Sequence, residues 1–185
     1  MILYISGYGS EYKQYIDDGL NKLSNNNYIY YVIKNDFKAD TEYLKDVVEN
    51  NTDITIISHS TGGFYSLILY RLYTDKITSV HLINPAINLY DCMVKSNRYD
   101  LYLKSCKDIL IDEHNKNLEY YNNINPINLY QGLKDDSVDL DYNFKFIKNV
   151  IGNIVKYDNL GHRFNENEFN IILKRILKRI STYIL

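Results

Sequence analysis

Ser60 is the residue whose surroundings most clearly suggest chemistry. It lies in the hexapeptide SHSTGG (58–63), directly after the apolar run 54–57. This is the strand-turn-helix context of the G-x-S-x-G motif, in which a tight, strained turn holds a serine hydroxyl at the positive end of a helix. Ser58 replaces the first glycine of that motif, where only a small side chain fits. Because Ser-x-Gly is a common tripeptide, the motif alone is explained more simply by a helix N-cap at Ser60.

Asp135 and His162 supply the two groups that a nucleophilic serine needs. A base must take the hydroxyl proton, and an acid must orient that base. Both residues follow Ser60 in the order Ser, Asp, His, in the loops after the predicted fifth and sixth strands. Each alone could be an ordinary loop residue. Their order and positions together predict that Ser60 attacks, His162 transfers the proton and Asp135 orients His162.

Asp136 is an alternative acid, because it is adjacent to Asp135 and a one-residue error in placing the turn would exchange the two. Asp135 fits the spacing Gly-x-x-Asp-x-x-Val that it forms with Gly132 and Val138. The valine would anchor the loop and leave the aspartate facing His162. We therefore predict Asp135 and keep Asp136 as the alternative.

Nucleophilic attack on a carbonyl also needs donors for the developing oxyanion. The amide of Thr61, immediately after the serine, is one candidate. The second is expected from the loop after the first strand, SGYGS (6–10), and we predict the amide of Tyr8. This loop is not a dinucleotide-binding fingerprint, because Gly7-x-Gly9 lacks the third glycine of G-x-G-x-x-G.

The elements that must position these residues alternate between short β-branched and aromatic runs and longer amphipathic stretches. The predicted strands are 2–6, 28–33, 53–58, 79–83, 127–131 and 152–157, and the predicted helices are 11–24, 40–50, 61–74, 140–149 and 166–182. This pattern is typical of an α/β fold. Because the strands are almost continuously apolar, both faces of the sheet must be covered. We expect a three-layer α/β/α sandwich with a mainly parallel sheet of about six strands, whose carboxyl ends form one ligand crevice.

Segment 86–125 is longer than a simple crossover and predicts a small cap or an elaborated crossover with one or two helices. Its apolar positions include Leu101, Leu103 and Leu110. No linker marks a second domain, so residues 1–185 are expected to form one domain. We expect the segment to supply much of an acyl pocket, with its tyrosines forming an amphipathic wall.

Composition excludes several classes of protein. A chain of 185 residues is too short for two large domains. Its 21 basic and 23 acidic residues are evenly scattered, which argues against nucleic-acid binding. Two cysteines cannot form a disulfide framework, and the first residues resemble neither a signal peptide nor a membrane span. We expect a cytoplasmic protein. The last helix is basic and amphipathic, and we interpret it as docked on the sheet rather than on a membrane.

The other histidines and the thiols give weaker signals. His59 is expected to point away from the Ser60 hydroxyl and to serve packing and hydrogen bonding. His81 lies within a strand and is interpreted as an interior histidine. His114 stands beside two acidic residues, but no second cluster has metal-ligand spacing, so neither a metal nor an organic cofactor is expected. The cysteines, Cys92 and Cys106, are interpreted as ordinary thiols.

Over nearly its whole length the sequence resembles the α/β-hydrolase superfamily, and within it the small, nearly capless serine esterases of the YqiA type. The motifs that carry the resemblance are ISGYGS (5–10), SHSTGG (58–63), INPA (83–86), GLKD (132–135) and GHRF (161–164). The sequence departs from the family at Ser6, where such proteins often have histidine, and at Ser58.

The resemblance implies an α/β-hydrolase fold with a minimal cap or none, with Ser60, Asp135 and His162 as the triad and Tyr8 and Thr61 as oxyanion donors. It implies hydrolysis of carboxylic esters or thioesters through an acyl-enzyme. Segment 86–125 is short compared with a lipase lid, which suggests an open site, so we expect short acyl chains to be preferred. The alternative is a binding or regulatory protein that keeps the fold but has little activity. The partner is expected to be a small molecule, with no nucleic acid and no membrane. The oligomeric state is left open.

Overall fold

The computed structural model describes residues 1–34, 36–95, 106–121, 127–149 and 153–182. Strands and helices alternate along these ranges. The strands are β1 (Ile2–Ile5), β2 (Tyr28–Tyr31), β3 (Ile54–His59), β4 (Ile77–Ile83), β5 (Asn128–Gly132) and β6 (Asn153–Tyr157). The helices are α1 (Gln14–Ser24), α2 (Phe37–Glu49), α3 (Gly62–Leu72), α4 (Leu89–Lys95), α5 (Lys107–Tyr120), α6 (Leu140–Asn149) and α7 (Glu166–Thr182).

The strands form one parallel sheet in the order β2-β1-β3-β4-β5-β6. The predicted strands and the parallel sheet are thereby confirmed. The chain runs outward from β1 to β2, then returns past β1 to β3 and continues to the other edge. The order therefore reverses between β1 and β3, where Ile5 is in register with Ser58. Ligands bind at such a switch point, outside the carboxyl ends of the strands.

Alternate residues of each strand fill two hydrophobic cores, one on each face of the sheet. On one face Leu3 and Ile5 lie in a core with residues of α2, α3 and α5. On the other face Ile2 and Tyr4 lie in a core with residues of α1 and α7. Every residue of β1 is buried, as expected for a parallel sheet covered on both faces. The predicted three-layer sandwich is confirmed.

Two helices begin three residues away from the predicted position, α1 at Gln14 rather than at residue 11 and α2 in the opposite direction. α2 begins at Phe37 rather than at residue 40, because Asp36 caps it: its carboxylate accepts a hydrogen bond from the amide of Ala39 at 3.1 Å. An aspartate at the N-cap satisfies an amide that has no partner within the helix. The sequence pattern alone placed the start one turn too late.

Segment 86–125 contains α4 and α5, so the expected one or two helices are present, whereas Leu101 and Leu103 lie outside the described residues. α5 packs against α3: Arg71 of α3 donates to the side chain of Asn117, and Leu110 is completely buried. α5 therefore lies where a crossover between the parallel strands β4 and β5 must run.

Within the described ranges, no helix combines the length and the apolar character needed to cross a bilayer.

Candidate active site

Ser60 occupies a strained turn between β3 and α3. Its backbone has a φ of 53°, in the left-handed region that residues other than glycine seldom adopt. Three backbone hydrogen bonds hold this conformation. The Ser60 amide donates to the carbonyl of Ile83 at 3.1 Å, and the Ser60 carbonyl accepts from the amides of Gly63 and Ala86 at 2.9 and 2.8 Å. The turn therefore stays fixed without help from the serine side chain.

The small residues around this turn are required by close packing. A Cβ placed on Gly62 would lie 2.3 Å from the carbonyl oxygen of Ile5, so no larger residue fits there. Ser58 replaces the first glycine of the motif and is completely buried. Its hydroxyl has no hydrogen-bond partner among the described residues. The site thus accepts this serine sterically, at the cost of an unsatisfied polar group.

Ser60, His162 and Asp135 form one chain of hydrogen bonds. The Oγ of Ser60 lies 2.8 Å from Nε2 of His162. On the other side of the ring, Nδ1 lies 3.0 and 2.9 Å from the two carboxylate oxygens of Asp135. Because a carboxylate only accepts hydrogen bonds, Nδ1 carries the hydrogen and Nε2 is left to accept the serine proton. The structure thus brings together the three residues predicted from separate loops.

Asp135 is fixed in place by its own loop. Its side chain is fully buried, and its carboxylate accepts hydrogen bonds from the amides of Ser137 and Val138 at 2.9 and 3.3 Å. Asp136 is exposed, and its carboxylate accepts from the Ser137 hydroxyl at 3.2 Å. Of the two adjacent aspartates, it is Asp135 that faces the ring of His162, as predicted.

The two residues predicted to supply the oxyanion donors are in contact through the side chain of Thr61. The amide of Tyr8 donates to the hydroxyl of Thr61 at 3.3 Å, across the gap between the loop after β1 and the turn after β3. Thr61 directly follows Ser60 in the chain and is buried. The loop after β1 was predicted to fold back towards Ser60, and this contact places it within hydrogen-bonding distance of Thr61.

A cavity of about 840 Å³ opens beside Ser60 and His162. Its walls come from the loop after β1, the start of α1, the loop that contains Asp136 and the loop between β6 and α7. Four aromatic residues contribute to it from the side of α1 and α7: Tyr4, Tyr15, Tyr30 and Phe164. The described residues of segment 86–125 are not among those that line it. The expectation that this segment supplies much of the pocket is therefore not met by its described part.

An asparagine that sequence reasoning did not assign to the site links its loops. Asn84 follows β4, is completely buried and makes four side-chain hydrogen bonds. It donates to the carbonyls of Gly161 and His162 at 2.8 and 3.1 Å, and accepts from the amide of Gly132 and the side chain of Gln131 at 2.7 and 3.1 Å. The signal available in the sequence was an asparagine directly after an apolar strand.

Among the described residues, His59 makes no hydrogen bond to the Ser60 hydroxyl and instead contacts the loop of His162, so it serves packing and hydrogen bonding as predicted. Its Nε2 lies 2.8 Å from the carbonyl oxygen of His162, and its ring meets Phe164 edge-on at 4.7 Å. Burial, with a contribution from the neighbouring His162, lowers the pKa of His59 to about 4. The ring is therefore neutral at physiological pH, and Nε2 must carry the hydrogen that it shares with the carbonyl.

The remaining histidines and the thiols lie outside the site. His81 is fully buried and contacts the hydroxyls of Tyr130 and Ser79 at 3.1 and 3.3 Å, and burial lowers its pKa to about 3. His114 contacts the hydroxyl of Tyr142 at 2.7 Å. Burial raises the pKa of Cys92 to about 11, so it is not a reactive thiolate. In the part of the chain that the structure describes, no three potential metal-binding side chains are grouped together.

Comparison with solved structures identifies the fold. The α/β-hydrolase enzyme MGS-MChE2, from a metagenome of the Mar Chica lagoon in Morocco, is 13% identical, with a TM-score of 0.69 over 97% of this chain and 91% of that chain. Paleococcus ferrophilus monoacylglycerol lipase is 12% identical, with a TM-score of 0.67 over 96% of this chain and 93% of that one. An S-formylglutathione hydrolase from Agrobacterium tumefaciens is 12% identical, with a TM-score of 0.66 over 96% and 81%.

No protein-family model matches the sequence, and no curated protein matches it closely enough to be informative. The likeness therefore lies in the architecture, which is that of the α/β-hydrolase fold. This fold was expected from the motifs at 5–10, 58–63 and 161–164. The narrower resemblance to YqiA-type esterases stays a prediction.

Proposed function

We propose that this protein is a serine hydrolase that cleaves carboxylic esters or thioesters through an acyl-enzyme intermediate. The observation that carries the proposal is the continuous hydrogen-bonded chain from Ser60 through His162 to Asp135. A serine in a strained turn, a histidine within reach of its hydroxyl and a buried carboxylate behind that histidine are the parts required for activating the hydroxyl. A purely binding protein would need none of this alignment.

In the first half of the reaction, the Oγ of Ser60 attacks the carbonyl carbon of the substrate while its proton passes to Nε2 of His162. The carbonyl oxygen becomes an oxyanion, and His162 becomes an imidazolium that the ionised Asp135 stabilises. When the tetrahedral intermediate collapses, the bond to the leaving oxygen or sulfur breaks. The leaving group takes the proton from His162, and the acyl group remains esterified to Ser60.

In the second half, a water molecule replaces the leaving group. His162 takes a proton from the water as its oxygen attacks the acyl carbon, and a second oxyanion forms. Collapse releases the carboxylic acid and returns the proton from His162 to the Oγ of Ser60. No redox or metal chemistry enters these steps, and Asp135 stays ionised throughout.

The amides of Tyr8 and Thr61 are proposed to stabilise both oxyanions. The Tyr8 amide donates to the neutral hydroxyl of Thr61 at 3.3 Å, which is a long hydrogen bond. An oxyanion is a stronger acceptor than a hydroxyl, because hydrogen bonds to an ionised group are about twice as strong as neutral ones. The bound intermediate would thus displace the Thr61 hydroxyl from the Tyr8 amide.

The substrate is proposed to be a small ester or thioester with a short acyl chain. The cavity beside Ser60 has aromatic walls and a rim with charges of both signs, including Lys13, Lys134, Arg163 and Glu166, and among its lining residues Ile16 is aliphatic. Because charged and polar side chains share this lining with the aromatic rings, it offers less apolar surface than a long acyl chain would bury. A monoacylglycerol lipase and an S-formylglutathione hydrolase share the fold, which is compatible with either ester or thioester chemistry.

We also propose a cytoplasmic location, since Cys92 and Cys106 do not form a disulfide with each other.

Labelling with a fluorophosphonate probe tests the proposal. The probe should phosphonylate the wild-type protein and should not react with Ser60→Ala. Ser58→Ala is the matched control, because it removes a nearby buried hydroxyl that has no partner, and it should be labelled like wild type. Labelling of Ser60→Ala would remove the assignment of the nucleophile. A folded wild-type protein that neither reacts with the probe nor cleaves short acyl esters would instead favour a binding or regulatory role.

A further inference from the structure

Two side chains from neighbouring strands meet at the backbone carbonyl of His162. The amide of Asn84, after β4, donates to this oxygen at 3.1 Å, and Nε2 of His59, the last residue of β3, lies 2.8 Å from it. Asn84 also donates to the preceding carbonyl, that of Gly161, at 2.8 Å. Asp135 orients the ring of His162, whereas these two side chains hold its main chain.

Asn84 combines the two properties that this position demands. Its φ of 43° lies in the left-handed region, which asparagine tolerates better than most residues. Its amide can donate and accept at once. While donating to the His162 loop, it accepts from the amide of Gly132 at 2.7 Å and from Gln131 at 3.1 Å, at the end of β5. One side chain thus ties the loop of His162 to the strand that leads into the loop of Asp135.

His59 contributes a second donor to the same carbonyl oxygen. It is buried, and its ring packs edge-on against Phe164 and 5.2 Å, centroid to centroid, from the ring of His162. Since its Nε2 faces a carbonyl oxygen, that nitrogen must carry a hydrogen. Such a donor cannot be replaced by bulk water without opening the packing between His59 and Phe164.

We propose that Asn84 and His59 are positioning residues that jointly hold the backbone of His162, so that its Nε2 stays within hydrogen-bonding distance of Ser60. The inference rests on the proposed hydrolase function. His162 lies between β6, which ends at Tyr157, and α7, which begins at Glu166, so no regular element fixes its main chain. A displacement of about 1 Å at a reacting group can reduce the rate on the order of a hundredfold.

The test compares Asn84→Gly, His59→Phe and the double variant. Glycine keeps the left-handed backbone without the amide, and phenylalanine keeps the ring without the donor. The fraction of active sites is counted with the fluorophosphonate probe, and kcat is expressed per counted site. Each single variant should lose about tenfold in kcat per site, with KM changed by less than about threefold. In the double variant, kcat per site should fall by more than the product of the two single-variant reductions, because each donor compensates for the loss of the other.

Asn117→Ala is the matched control. Asn117 is completely buried in α5 and its side chain accepts a hydrogen bond from Arg71 at 3.0 Å. Among the described residues it makes no side-chain hydrogen bond to the His162 loop or to a partner of Asn84. The variant should lower the melting temperature and leave kcat per site near that of wild type. An equal loss of kcat per site in Asn117→Ala would overturn the proposal, as would an unchanged kcat per site in the double variant.

An NMR measurement separates this inference from the proposed function. The Nδ1 hydrogen of His162, held by Asp135, should give a downfield resonance in the wild type whether or not the protein turns over a substrate. If Asn84 and His59 position His162, the double variant should broaden or lose this resonance while remaining folded. If the wild-type protein does not react with the fluorophosphonate probe, the proposed hydrolase function is refuted. If the resonance is unaltered in the folded double variant, the positioning role of Asn84 and His59 is refuted.

Discussion

Gly7 and Ser60 lie so close together that a Cβ placed on Gly7 would be 2.7 Å from Cβ of Ser60 and 3.3 Å from its Oγ. Gly7 follows β1 and Ser60 follows the adjacent strand β3. The absence of a side chain at residue 7 therefore allows the loop after β1 to approach the serine at the point where the strand order reverses. The same approach brings the Tyr8 amide to Thr61.

Gly7→Ala should lower kcat/KM for short acyl esters on the order of a hundredfold, because the added methyl group must displace either Ser60 or the loop. Gly9→Ala is the comparison. A Cβ on Gly9 meets no atom within 4 Å, although its φ of 62° makes alanine strained there. That variant should lose about 1–2 kcal/mol of stability and keep most of its activity. Esterase assays and urea unfolding of both variants check the prediction, which fails if Gly9→Ala is the less active of the two.

Asp135→Asn should reduce kcat on the order of a thousandfold or more, whereas Asp136→Asn should leave it nearly unchanged. An amide at residue 135 would donate towards Nδ1 of His162 and favour the tautomer that carries its hydrogen on Nε2, which cannot accept the serine proton. Asp136 is exposed, and among the described residues its carboxylate makes no hydrogen bond with His162. Steady-state kinetics of the two variants decide between them, and the reverse result would make Asp136 the acid.

The activity should fall at acid pH because only a neutral His162 can accept the proton of Ser60. His162→Ala should remove this dependence together with nearly all the activity. His59→Phe should keep the shape of the profile, since the pKa of His59 is lowered to about 4 and its ring is already neutral across the working range. The measurement is kcat/KM between pH 5 and 9. Loss of the acid limb in His59→Phe alone would contradict the assignment of His162 as the base.

Stability should also decrease as the pH falls below about 6.5, the ordinary pKa of histidine. Burial lowers the pKa of His59 to about 4 and of His81 to about 3, so between these values and 6.5 the unfolded chain binds protons that the folded protein does not. Each histidine lowers the free energy of unfolding by up to about 1.4 kcal/mol per pH unit in that window, and by nothing above it. Urea unfolding at pH 7, 6 and 5 measures the effect, and His81→Gln should show a smaller slope than wild type. Equal slopes in the two proteins would contradict a neutral buried His81.

Hydrolysis should favour acetyl and butyryl esters over long acyl chains, because charged and polar side chains interrupt the aromatic lining of the cavity beside Ser60. A series of p-nitrophenyl esters from acetyl to palmitoyl, with the matching acyl thioesters, measures the preference through kcat/KM. A rate that rises steadily to palmitoyl would contradict the proposed substrate class while leaving the nucleophile intact.

Much of this protein was determined by its local sequence. Strands such as β3 are recognisable as short runs of β-branched residues, and burial on both faces of the sheet requires these runs to be apolar throughout. The turn at Ser60 requires glycine at residue 62, because a Cβ placed there would lie 2.3 Å from the carbonyl oxygen of Ile5. Since parallel strands end at one edge, the order of Ser60, Asp135 and His162 was enough to predict that they would meet.

Only the tertiary structure decided which neighbours these residues have. The spacing in the sequence favoured Asp135 over Asp136, but the structure alone shows which carboxylate the loop turns inward, where the backbone amides of Ser137 and Val138 donate to it. The four partners of Asn84 come from the end of β5 and from the loop after β6, more than 40 residues away in sequence. The role of a buried asparagine such as Asn84 cannot be recognised from a periodic sequence pattern, because its hydrogen-bond partners come from distant segments that the packing of the sheet brings together. For the same reason the walls of the cavity, taken from α1, α7 and the loops rather than from the described part of segment 86–125, became visible only in three dimensions.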